Sequence, residues 1–336
     1  MKQIALWLWI ALILPMPADG EVHKVTATKY YRTFSGAHPV LQRVKPRDTV
    51  ITKTLDAGGQ DEQGVQRHPE PGNPLTGPFY VEGAEPGDAL IVRFNKLTFN
   101  RNWGFTTYRL GLFSLTPDYV ENVYSDQYKQ DLVRKGDADL VPWDIDIERK
   151  LVRLREPASK RIKLEFPAKP MLGCVGVAPA GDFAPTSGPS GSYGGNLDYN
   201  AIGEGATVML PVYHPGGLLF IGDGHGLQAD GEPTGTGVET SFDVEFTVDL
   251  LKKAKLTGPR VETAEDLISI GSQPEFSSAL DNALKTATTD MVNWLVDDYQ
   301  LEPWAAHLLI GYQGRYDVVT VMGSMALRIP KKVLPK

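Results

Sequence analysis

One cysteine, Cys174, stands in a chain of 336 residues, so no internal disulfide can form and stability in an oxidising compartment has to come from packing. Its neighbours in residues 170–179 are apolar and include no cation to lower its pKa, which makes it a core thiol and not a nucleophile. A surplus of positive charge is missing as well. Lys and Arg number 34 against 41 Asp and Glu, a formal charge of −7, and that balance argues against nucleic acid or an anionic membrane as partner. The N-terminal apolar run, residues 4–14, is too short for a comfortable membrane span. It follows Lys2, is broken by Pro15, and leads to the small residues of Ala18-Asp19-Gly20, the pattern of an export signal. Residues 1–20 are therefore read as a cleaved signal peptide, and the mature chain 21–336 is expected in the periplasm or outside the cell. No Gly-x-Ser-x-Gly elbow follows a strand, and glycine pieces such as residues 222–226 lack the Lys-Ser/Thr of a phosphate loop.

Glycine and proline are plentiful, 34 and 25, which points to many turns between short strands. The expected fold is mainly β, a sandwich or barrel-like core of short strands, with a C-terminal helical element that makes it α+β overall. Residues 49–55 and 79–82 read as strands, the latter after a proline-glycine loop over 69–78. Residues 89–94 alternate in polarity and form another. Residues 95–169, rich in aromatics from Trp103 to Tyr128, read as an insertion or substrate-side region followed by a hairpin through 143–154. From Val238 to Leu250 the alternation is clean, with Glu239, Asp243 and Glu245 on the polar face. The period then changes to helical over 276–295, with Ser272-Gln-Pro-Glu275 in the form of a capping box. A shorter helix over 303–310 is expected to stop at Gly311, and 316–329 to close the chain as a strand.

Residues 187–245 concentrate glycine, carboxylates and histidine as no other segment does. If residues 218–225 run extended, Asp223 and His225 project from one face two residues apart. A carboxylate and an imidazole presented together suit zinc or a similar divalent ion. Further ligands have to come from elsewhere, and Asp198 and Glu239 are the natural recruits, with Asp56 at the end of an early strand as another. Glu232 serves either as ligand or as general base. The plainer readings stand beside this one: His225 as a turn histidine, Asp198 and Asp223 as Asx-turn residues, Glu239 as a solvated strand residue, Asp56 as a turn aspartate. Residues 187–192 hint at the serine loop of serine-dependent amidases, with Ser190 or Ser192 as nucleophile, but lack that loop's Gly-Gly-Ser-Ser core.

Five blocks resemble the acetamidase/formamidase family: residues 50–59 (VITKTLDAGG), 75–88 (LTGPFYVEGAEPGD), 172–179 (LGCVGVAP), 194–198 (GGNLD) and 210–239 (LPVYHPGGLLFIGDGHGLQADGEPTGTGVE). They are colinear over nearly all of the mature chain. Ala229 and Arg47 stand where the family's pattern has glycine. The resemblance implies a β-rich fold with flanking helices, hydrolysis of small linear amides to a carboxylate and ammonia, and a divalent metal ion; with the Asp223–His225 pair, zinc is expected first and calcium is the alternative. The metal ligands are then expected among Asp56, Asp198, Asp223, His225 and Glu239, with Glu232, Glu239 and His225 as catalytic groups around a metal-activated water. The expected partner is a small amide, with no nucleic acid and no membrane after signal cleavage; assembly as a homodimer is left open. The alternative is a secreted binding or structural protein on the same scaffold, with the aromatic region from Trp103 to Tyr128 as its ligand surface.

Overall fold

The computed structural model describes residues 20–107, 114–116, 140–155, 160–254, 256–272 and 279–335. The export signal read over 1–20 therefore lies outside the described residues, save Gly20, as do Tyr108, Phe113, Tyr119, Tyr124 and Tyr128. Two sheets carry the fold. The first has nine strands in the spatial order β1 (Val22–Lys24), β3 (Thr49–Lys53), β16 (Phe242–Leu251), β5 (Ala89–Phe99), β13 (Thr207–Pro211), β17 (Arg260–Glu262), β18 (Asp266–Ser272), β20 (Ser324–Pro330) and β19 (Arg315–Thr320). The second runs β11 (Ser190–Gly191), β12 (Gly194–Asn196), β10 (Met171–Val177), β14 (Leu219–His225), β15 (Glu239–Thr240), β6 (Trp103–Thr107), β7 (Leu140–Asp146), β8 (Leu151–Leu154) and β9 (Glu165–Pro167). Strand β4 (Leu75–Val81) pairs with β14 and with β2 (Gln42–Val44). The inner faces share one core, in which Phe79 of the second sheet meets Phe246 of the first edge to face at 5.3 Å between ring centroids. Each such ring buried adds roughly 1.5–3 kcal/mol of hydrophobic stabilisation.

The expected mainly β core with C-terminal helices is what the chain forms, and several boundaries move. Strand β4 starts at Leu75 and runs through a cis Gly77–Pro78 bond, so the end of the expected proline-glycine loop is strand. Strand β5 extends to Phe99 because β16 pairs with it along its whole length. The 238–250 strand is two strands. Glu239 and Thr240 pair with His225 and Gly224 in the second sheet, the chain crosses at Ser241, and β16 begins in the first sheet at Phe242. Beyond the crossing, Phe242, Val244, Phe246 and Val248 are buried as the alternation requires. Glu239 is also buried, so the solvated face it was grouped with begins only at Asp243.

The C-terminal region differs at each boundary. Helix α1 spans Leu280–Asp297, with Ala279 at the N-cap and no side-chain cap. Ser272 is no helix cap but the last residue of β18, its hydroxyl bonded to those of Ser190 and Ser324. Gln273, Pro274, Glu275 and Phe276 lie outside the described residues. Helix α2, Pro303–Gln313, continues through Gly311 and ends at Gly314. Residues 316–329 form the hairpin β19–β20 and not a single strand. Both helices cover the first sheet, where Ala287, Met291, Trp294, Ala306 and Ile310 pack with Met209, Leu267 and Leu327 in a second core. A buried bidentate pair pins α1 there. Arg260 donates from Nε and Nη2 to Asp290 at 2.8 and 3.1 Å.

Candidate metal centre

Strand β14 is buried along both faces and delivers Asp223 and His225 together, with His225 Nε2 3.5 Å from Asp223 Oδ1. Strand β15 lies next to it in antiparallel register with Glu239 opposite His225, and Nε2 is 3.1 Å from Glu239 Oε1. Asp198 arrives from the turn after β12, where its N–H donates to the Gly173 carbonyl at 3.2 Å. Glu232 comes from the Ala229–Glu232 turn. Ligand atoms of Asp198, Asp223 and His225 lie within 4.8 Å of one another, and so do those of His225, Glu232 and Glu239. His225, Asp223 and Glu239 are each no more than 2% exposed.

Two glycines make this convergence sterically feasible. A Cβ on Gly173 of β10 would collide with Asp198 Oδ1 and come 2.5 Å from Asp223 Oδ2. A Cβ on Gly237 would lie 2.5 Å from Cγ and Nδ1 of the His225 ring. The backbone is strained around the same point. Asn73, Asp198, Asp223 and Glu232 all take the left-handed conformation, at φ of 53°, 45°, 58° and 49°. Non-glycine residues there cost roughly 1–2 kcal/mol each, less for Asn and Asp, and such strain concentrates at functional sites.

Asp198, Asp223 and Glu239 each have one oxygen held and one left over. Asp223 Oδ2 accepts from Asn73 Nδ2 at 3.0 Å, and Asp198 Oδ2 accepts from Asn196 Nδ2. Asp198 Oδ1, Asp223 Oδ1 and Glu239 Oε2 are buried with no hydrogen-bond partner. A buried acceptor left unpaired costs about 1–3 kcal/mol, more when charged, so three in one place call for bound protons or for a positive charge between them. Burial, reinforced by the neighbouring Asp223 charge against the opposing pull of His225, pushes Glu239 up to about 8 and Glu232 up to about 7. Burial and the charges of Glu232 and Asp223 hold Asp198 well above the usual carboxylate range. Burial works against the His225 imidazolium, yet the charges of Glu239 and Asp223 outweigh it and raise its pKa. Oxygen donors with one imidazole nitrogen are the chemistry of a divalent cation, and the residues present fit one.

Asp56 does not join them. It is fully buried, but its Oδ2 lies 2.7 Å from Arg101 Nη2 in an ion pair, and its Oδ1 accepts from the Gln60 N–H at 2.9 Å. Asp56 thus balances a buried cation whose guanidinium also stacks on Trp103, 3.6 Å from the ring centroid. Ser190 is no activated nucleophile. Its Oγ is buried 2.6 and 3.0 Å from the hydroxyls of Ser272 and Ser324, with no base in that triangle. His214 is held in a turn, with Nε2 2.7 Å from the Pro179 carbonyl. Cys174 is a buried thiol donating to Asn196 Oδ1 at 2.9 Å, with its pKa raised by burial and by the nearby carboxylates. A cavity of about 630 Å³ at β8 and the loop after it, lined by Arg153, Arg155 and Lys160 among others, shares no residue with the cluster. Asn73, Asn196 and Gln228 were not singled out in the sequence. Gln228 had a signal, since it sits three residues after His225 in the longest family-like block.

Several known proteins are similar to this chain. The formamidase of Methylophilus methylotrophus is 27% identical over 292 residues, covering 71% of this chain and 66% of that protein. The acetamidase of Mycolicibacterium smegmatis is 27% identical over 225 residues, covering 53% of each. The chain thus matches between about half and two thirds of the length of these relatives. Among solved structures, an acetamidase from Yersinia enterocolitica superposes with a TM-score of 0.77 at 27% identity, covering 95% of this chain and 94% of that one. The profile of the acetamidase/formamidase family matches residues 26–187 and 183–281, and the second match takes in the glycine-rich stretch that carries most of the cluster. With that match over more than half of its length, the chain belongs to the acetamidase/formamidase family.

Proposed function

We propose that the protein hydrolyses small linear amides of the formamide and acetamide kind to a carboxylate and ammonia, with Asp198, Asp223, His225 and Glu239 holding a divalent cation, zinc first and calcium as the alternative. The observation that carries the reading is the set of three unpartnered carboxylate oxygens beside the His225 nitrogen. When bound, such an ion polarises an amide carbonyl and brings the pKa of water towards neutrality. Glu232 is the proton carrier in this reading. Its buried carboxyl group lies beside His225 and Glu239, where it can take a proton from water and give it to the departing nitrogen. Burial keeps bulk water from these groups and strengthens every charge interaction among them. Ammonia release from formamide and acetamide, compared between the wild type and an Asp223→Ala/His225→Ala double variant, tests the proposal. Loss of turnover in a variant that still folds supports it; unchanged turnover refutes it.

A further inference from the structure

Gln228 holds no ion in this arrangement, yet it touches two of the groups that would. Its side chain lies between His225 Nδ1, 2.6 Å from Oε1, and the main-chain carbonyl of Asp198, 2.5 Å from Nε2. Both His225 and Gln228 are buried. The direction of every proton in this chain follows from its last member. A peptide carbonyl only accepts, so the amide group facing Asp198 has to be the NH₂. The other end facing His225 is then the amide oxygen, which also only accepts, so Nδ1 has to carry a hydrogen. A neutral imidazole has one N–H, which leaves Nε2 bare and aimed at Asp223 and Glu239.

We infer that Gln228 is a positioning residue that fixes His225 as the Nδ1–H tautomer with Nε2 free to bind the cation, and ties the ring to the backbone of a second ligand, Asp198. This rests on the cation site proposed above. The two ligands come from different segments, β14 and the turn after β12, and the Gln228 bridge sets their separation. Gly237 lies so close to the same ring that a Cβ there would come 2.5 Å from Cγ and Nδ1, which leaves the ring little room to turn. Outer partners of ligating histidines raise metal affinity about 10–100-fold.

The test uses the full chain with histidine labelled in nitrogen-15. Ring nitrogen shifts of His225 are recorded with zinc and, for the metal-free protein, at alkaline pH where the imidazole is neutral. Zinc affinity is measured by competition with a chromophoric chelator in the wild type, Gln228→Met and Gln228→Glu. The wild type is expected to show the Nδ1–H tautomer. Gln228→Met, which keeps the volume and loses both hydrogen bonds, is expected to lose that tautomer preference and to bind zinc about 10–100-fold more weakly. Gln228→Glu keeps an oxygen against Nδ1 but loses the donor to the Asp198 carbonyl, so it is expected to recover the tautomer and only part of the affinity, a split that a purely structural role would not produce. An Nε2–H tautomer in the wild type, or equal zinc affinity in Gln228→Met, overturns the inference. A wild type that binds no divalent ion but shows the Nδ1–H tautomer overturns the metal reading and leaves the positioning of the ring by Gln228 standing.

Discussion

Glu239 Oε1 lies 3.1 Å from His225 Nε2 across one rung of the antiparallel pair β14–β15, while its other oxygen has no partner. In a metal-free chain that rung holds together only by keeping protons, and this has measurable consequences.

Removing one carboxylate should relieve the repulsion at the cost of the site. Glu239→Gln is expected to stabilise the metal-free protein by about 1–3 kcal/mol, the scale of a buried unpaired acceptor removed. The same variant is expected to lose tight binding of a divalent ion. Urea unfolding of both proteins after chelation, followed by metal titration, checks the two effects separately.

The pH dependence of the metal-free protein has a definite sign. Glu239 and Glu232 hold protons in the folded state up to about pH 8 and 7, whereas the unfolded chain releases them near the ordinary glutamate value. The folded state therefore binds more protons across that window, and stability falls as pH rises through it. His225 and Asp198, with raised pKa values, act in the same direction. The expected outcome is a urea midpoint lower at pH 8.5 than at pH 5.5 for the metal-free protein, and a much flatter profile once zinc is added, because the ion takes the place of the protons and binds the folded state more tightly as pH rises. The comparison uses midpoints read at fixed ionic strength.

Gly173→Ala places a methyl group where Asp198 and Asp223 converge. Overpacking of this kind costs about 1–3 kcal/mol. The variant is also expected to bind divalent ions far more weakly, because the two carboxylates have to move apart. Calorimetric titration with zinc measures it.

The helix α1 clamp should be separable from the site. Asp290→Ala leaves Arg260 buried without its partner and is expected to cost about 3–5 kcal/mol. Metal content per folded chain should not change, since the clamp shares no residue with the cluster. Thermal unfolding and metal analysis of the folded fraction check both parts.

What the sequence revealed and what it hid follow from the range of each interaction. The Asp223–His225 pairing was legible because it depends on positions two apart in one strand. Asp198 and Glu232 were legible as carboxylates among glycines within one short segment. Glu239 was legible as a recruit, but its burial was not: alternation groups it with Asp243 and Glu245, and only the crossing between sheets at Ser241 separates them. Asp56 looked like a ligand because its partner, Arg101, is 45 positions away and no local pattern announces a buried ion pair. The supporting amides Asn73, Asn196 and Gln228 carry no charge and no periodicity, so their role appears only when three loops meet. The helix start was misplaced because Ser272 has the side chain of a cap while its backbone is paired with β20.

The most direct measurement is divalent-ion content together with ammonia release from formamide and acetamide in the same preparation, before chelation, after it, and after zinc or calcium is returned. The account predicts a bound divalent ion, loss of turnover when it is stripped, and recovery with one of the two ions. Full turnover by thoroughly metal-free protein would contradict it.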